Sequence, residues 1–169
     1  MKSVRTTLHT LLDVAASKTA SYAPAAVDFN LDRYVELVVE LTVTAADAAG
    51  TYDFYLITGA GDRQSIAPAE WDLAHFPQIA GAITTTPKTY IARIRADLLP
   101  QTVTTAAPGV PAIDSGTLAV GSGGANAPES LTAGSVRHGA FGNTLRYALV
   151  AAGTITTGVI YTIRVQARS

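Results

Sequence analysis

The sequence contains no cysteine, and that absence removes disulfide frameworks, cysteine-based zinc sites and thiol nucleophiles from consideration. Charge is scarce too: Asp, Glu, Lys and Arg make up 15 % of 169 residues, against roughly 25 % in an average soluble protein. The formal net charge is −1 and no basic stripe occurs, so the clustered cations that nucleic acid requires are missing. Aromatic residues are few, with seven Tyr, four Phe and one Trp. No apolar run approaches the ~18 residues of a membrane-spanning helix. The opening MKSVRTTLHTLLDVAASKTASYA carries Lys2 and Arg5 before a Leu-containing stretch. Asp13 breaks its apolar part, whereas a signal peptide needs a clean run of ~7–15 apolar residues. We therefore read this segment as part of the mature protein.

Hydrophobic residues supply 48 % of the chain, enough apolar surface to offset chain entropy and exclude disorder. In place of charge stand Thr, Ser, Ala and Gly. Such a surface suits partial covering by other chains, because interface centres are depleted in charge; it also suits a weakly charged β-protein with no such partner. The length fits a single domain.

Period-2 alternation dominates what is present. In Arg33–Thr44, Val35, Leu37, Val39, Leu41 and Val43 fall on one face, with Glu36, Glu40 and Thr42 on the other. A helix would scatter these side chains, whereas a strand aligns them. Thr51–Thr58 repeats the pattern with Tyr52, Phe54 and Leu56 against Asp53 and Tyr55. Thr89–Ala96 repeats it weakly, and Thr144–Ala151 places Leu145, Tyr147 and Leu149 opposite Arg146. In Ile160–Arg168, Tyr161, Ile163, Val165 and Ala167 oppose Thr162, Arg164, Gln166 and Arg168. The last two segments flank Ala152–Gly158 and are expected to form a hairpin. One-sided apolar strands need a covering layer, so the expected fold is all-β: an antiparallel β-sandwich, jelly-roll-like, or a β-barrel.

Residues 1–169 are read as a single sandwich domain with an N-terminal arm over 1–25. Shorter strands are expected at Thr6–Leu12 and Ala26–Phe29, with Ser17–Pro24 as a loop between them. Ala67–Gln78 contains Pro68, Trp71, Phe76 and Pro77 and reads as a turn or one-turn helix, with the Trp and Phe plugging one end of the sandwich. Leu98–Asn143 is rich in Gly, Pro, Ala and Ser, and only Thr117–Val120 and Ser135–His138 in it look strand-like. A loop beyond about 12–15 residues is unusual in a compact domain, so this region is expected to be a long flexible excursion or an arm that orders on a neighbouring subunit.

Motifs that carry chemistry are missing. None of His9, His75 and His138 has a second ligand at metal-binding spacing, and His75 near Asp72 reads as a surface contact. Gly59–Gly61 follows a strand like a phosphate loop, yet no third glycine or crossover helix follows. The GSGG at 121–124 lacks the Lys-Ser/Thr of a nucleotide loop, and neither Ser122 nor Ser135 sits in a nucleophile elbow. Asp97 and Asp114 are isolated carboxylates, and no calcium loop occurs. Tyr55, on an outer face, and Trp71 are the aromatics a carbohydrate platform would use, although such residues more often pack an edge or core. No catalytic, cofactor-binding or metal-binding residue is nominated, no cofactor is expected, and the protein is read as non-enzymatic.

The order of segments is informative. LLDVAASKTAS is followed by RYVELVVELTVTAA, then YDFYLITG, a W-x-L-x-x-F stretch, and the closing NTLRYALVAAGTITTGVIYTIRVQARS. This resembles small β-sandwich virion proteins of tailed bacteriophages, most nearly the capsid decoration (cement) proteins; the closing segment carries most of the resemblance, which leaves out Leu98–Asn143. The resemblance implies a protein on the capsid exterior that partners the major capsid protein and strengthens the shell, often as a trimer. By position it implies contacts through Met1–Tyr22 and Ala106–Ser130. It implies neither nucleic-acid nor membrane partners. A tail tube, neck or head-completion protein, or a carbohydrate-binding sandwich of a fibre, is the alternative reading.

Overall fold

The computed structural model describes residues 6–13, 18–23, 27–28, 33–60, 69–99, 101–107, 110–114, 131–139 and 141–169. The strands are β1 (Thr6–Asp13), β2 (Val27–Asp28), β3 (Glu36–Ala45), β4 (Gly50–Ala60), β5 (Ala69–His75), β6 (Ile79–Ala80), β7 (Lys88–Arg95), β8 (Gln101–Ala107), β9 (Val110–Asp114), β10 (Ser135–His138), β11 (Thr144–Gly153) and β12 (Ile160–Arg168). No helix occurs among the described residues. The strands form two antiparallel sheets, one strongly curled into a half-barrel, as the alternation predicts. The first runs β1-β12-β3-β7; the second runs β2-β11-β4-β5-β10-β8-β9, with β6 beside the start of β4.

Alternation decides which face of each strand is buried. Leu37, Val39, Leu41 and Val43 of β3 face Tyr52, Phe54 and Leu56 of β4 and Leu145, Tyr147 and Leu149 of β11 across one continuous core. Val35, just before β3, is 47 % exposed. On the opposite face of the first sheet, Glu36 accepts hydrogen bonds from Arg93 and from Arg168 at 3.1 Å, and Glu40 pairs with Arg164 at 3.3 Å. These cross-strand pairs form a polar, partly solvated ladder of modest energetic weight.

The expected hairpin between the last two strands is not formed. β11 pairs with β4 and β12 pairs with β3, so residues 154–159 cross from one sheet to the other. The link between β3 and β4 crosses in the same way. Their carboxylate clasp is local: Asp47 accepts from the amides of Thr156, Thr157 and Gly158 at 2.7, 2.8 and 2.8 Å, and from the Thr157 hydroxyl. Two further segments follow the same path. The N-terminal chain pairs β1 with β12, Lys18 with Val159, Tyr22 with Leu149 and β2 with β11. Residues 79–95 pair β6 with β4, Ile83 with Ala46 and β7 with β3. The architecture is a stack of arches, each spanning both sheets, hydrogen-bonded to its neighbour even where it turns the corner.

Two other expectations change. Ala69–His75 is a strand between β4 and β10, not a turn or helix. A bulge opposite Leu56 and Ile57 places the successive residues Leu73 and Ala74 both in the core, which breaks the simple alternation. Phe76 is buried, as a plug requires, while Trp71 is half-buried. The region 98–143 carries β8 and β9, which pair with one another, before β10. Thr117–Val120 and Gly121–Gly124 lie outside the described residues.

Candidate functional site

The bulge in β5 has a chemical consequence. It turns Asp72 and His75 to the face of the second sheet that lies away from the main core, where Tyr55, Ile57 and Ala148 form a small separate apolar cluster. His75 is stacked on Tyr55 with ring centroids 4.0 Å apart. Its Nε2 lies 3.1 Å from Asp53 Oδ1, and its Nδ1 lies 2.8 Å from the carbonyl oxygen of Leu131. Gln78 donates to the other Asp53 oxygen at 2.8 Å. The main chain joins in, because Gly134 N–H donates to His75 O at 2.8 Å.

Electrostatics follow from this placement. Burial pushes the Asp53 carboxyl upward, but the hydrogen bonds from His75 and Gln78 together outweigh it and hold the group below its ordinary value. Burial, then the Asp53 and Asp72 charges, push the Tyr55 hydroxyl up. Asp53 is therefore an ionised acceptor, and the Leu131 carbonyl is an acceptor as well.

His75, Asp53 and Ser135 would suggest a relay by residue type alone. Geometry assigns them otherwise. Both ring nitrogens are committed to oxygen acceptors, so neither is left to take a proton from a hydroxyl, and the Ser135 hydroxyl bonds that of Thr132 at 2.8 Å. A recess beside His75, lined by Phe76, Pro77, Tyr90, Ile91 and Ser135, encloses about 10 Å³, room for about one water. The arrangement can clamp the 131–135 turn to the sheet. Among the described residues, no group of three His, Asp or Glu side chains is placed to hold a metal ion.

The other histidines are separated from this cluster. His9 lies in β1 opposite Val165. His138 ends β10, where its Nδ1 accepts from Arg95 N–H at 2.9 Å while Gly139 N–H donates to Arg95 O at 2.8 Å. Asp97 forms a surface pair with Arg95 at 2.5 Å. Tyr55, nominated as an outward platform, is 8 % exposed and covered by His75. The sequence contained one signal for the cluster, the shared parity of Asp53 and Tyr55, but reading β5 as a turn left His75 without a face.

Fold and cluster together define a two-layer antiparallel β-protein in which the buried His75 and His138 and the half-buried Asp53 bond to its own scaffold. Comparison with family models, curated proteins and solved structures returned no match.

Proposed function

We propose that this chain is a non-enzymatic structural protein of a virion, a capsid decoration protein that binds the outer surface of the shell through the major capsid protein and stabilises it, acting as a homo-oligomer with a trimer favoured. The sequence resemblance supplies the reading. The structural observation that carries it furthest is the position of the N-terminal chain: β1 ends the first sheet and β2 ends the second. One arm therefore forms the margin of both layers, where main-chain donors and acceptors face outward and another chain can pair with them. The sparse charge supports the same use of the surface. Many weak contacts of this kind gain strength by multiplication over a repeating lattice.

The test is binding of the purified chain to cognate capsids stripped of it, followed by electron cryomicroscopy of the decorated particles. Regularly spaced density on the outer capsid faces, with greater resistance of the shell to heat, is the expected result. Absence of binding, or density confined to the tail or neck, would overturn the proposal.

A further inference from the structure

The segment Leu131–Gly139 is held at its two ends by two histidines, His75 and His138. At the start, His75 faces two oxygen acceptors, Asp53 Oδ1 and Leu131 O, at 3.1 and 2.8 Å. At the end, His138 Nδ1 faces a donor, the Arg95 amide, at 2.9 Å, so that nitrogen must be bare. The bond from Gly139 N–H to Arg95 O completes a two-bond seam between β10, in the second sheet, and the end of β7, in the first. β7 ends the first sheet on the side opposite β1, and the chain leads from it to β8, the neighbour of β10 in the second sheet. The recess lined by Tyr90, Ile91 and Val136 lies at the His75 end of the segment.

We infer that this seam is a proton-operated latch: mild acidification releases β10 from β7 at His138. Protonation converts His138 Nδ1 from acceptor to donor, and two donors then face each other. The surroundings oppose that proton. His138 is 7 % exposed; burial holds the ring below its ordinary 6.5, and the Arg95 charge acts in the same direction, with Asp97 opposing. Arg137 adjoins it on β10, Glu36 lies opposite Arg95 across β3, and its register partner on β8 is the uncharged Gln101. A histidine depressed in the folded state contributes stability that is complete above 6.5 and is lost as pH falls towards the folded value. His75 holds the other end of the segment through the Leu131 carbonyl oxygen at 2.8 Å. Asp53 and Gln78 face it there, with Tyr55 stacked on it and Asp72 on its own strand.

Amide exchange of the isotope-labelled full chain, followed by NMR and corrected for the intrinsic rate, tests the latch. From about pH 8 to about pH 5, where an imidazole titrates, protection at the Arg95 and Gly139 amides is expected to fall relative to that of Gly134. The loss of one hydrogen bond sets the change at roughly fivefold to tenfold. His138→Asn presents an amide oxygen near the Nδ1 position and does not titrate, so its Arg95 protection is expected to be independent of pH. Unchanged Arg95 protection in the natural chain, the same pH dependence in His138→Asn, or parallel loss at Arg95 and Gly134 would each overturn the inference.

Discussion

Replacing the two core tyrosines by phenylalanine, singly and together, tests whether the arches meet as described. Tyr147 of β11 and Tyr161 of β12 come from opposite sheets, are 1 % and 0 % exposed, and share a hydroxyl–hydroxyl bond of 3.0 Å. Burial raises both phenols, Tyr161 to about 12, so neither ionises near neutrality and the bond is between neutral groups. Tyr161→Phe leaves the Tyr147 hydroxyl buried without this partner, and Tyr147→Phe does the converse; each is expected to destabilise by about 1–2 kcal/mol. The double variant removes both hydroxyls and leaves the rings, including the edge contact of Tyr161 with Phe54 at 4.7 Å. Its cost is expected to be no more than about 1 kcal/mol, because replacing both partners of a bond by apolar groups of the same shape is nearly neutral. The cycle is read from urea midpoints at constant m. A double variant whose loss equals the sum of the single losses would refute direct contact between the two hydroxyls, and with it the registration of the sheets at this point.

Leu41→Ala, at a fully buried core position, is expected to cost about 2–5 kcal/mol, whereas Val38→Ala on the other face of β3 should remain within about 1 kcal/mol; equal losses in urea unfolding would contradict the assigned faces. Asp47 is held at about 2 rather than 3.8, chiefly by the Thr157 hydroxyl and then the Gly158 amide. Its contribution is therefore present above 3.8 and lost as pH falls towards 2, so Asp47→Asn should lower the melting temperature at neutral pH and converge with the natural chain on acidification, as followed by calorimetry. Gly158 and Gly81 both have φ of +82, but a Cβ on Gly158 would lie 2.4 Å from Lys18 O while one on Gly81 meets nothing within 4 Å. Gly81→Ala should cost only the left-handed conformation, about 1–2 kcal/mol, and Gly158→Ala distinctly more in the same denaturation assay.

The strands that one sequence makes obvious are those with one dry face. β3, β4, β11 and β12 fall where Leu41, Phe54, Tyr147 and Val165 alternate with polar neighbours, because the core of a two-sheet protein accepts side chains from one side of each strand. β5 was hidden for a physical reason: its bulge sends Leu73 and Ala74 to the same side, so WDLAHF has no period of two, and Asp72 and His75 emerge together on a face that parity would not have joined. β8 and β9 are built from Thr, Ala and Val with a proline at 111, a composition that resembles loop. β9 ends its sheet, and an end strand tolerates the missing amide of a proline. The histidine clamp was illegible for a related reason, since its partners Leu131 O and Asp53 are brought to His75 by β5 and by the turn before β10.

The hairpin that did not form marks where periodicity stops being informative. Alternation states which side chains share a face; it is silent on which strand lies alongside. Had β11 and β12 paired with each other, their apolar faces would lie side by side and still need a cover. As an arch, the same residues face each other across the layer gap of about 10 Å, and six linking residues, at roughly 3.3 Å each, reach across it easily. What selects the arch is outside the two strands: β4 and β3 offer ten and nine residues of antiparallel partner to β11 and β12, and Asp47 caps the crossing amides from the neighbouring arch. The signal for it was a linker with neither Asn-Gly nor Asp-Gly, the dipeptides a tight hairpin prefers, facing a lone aspartate in the shorter linker, residues 46–49, between two equally apolar strands.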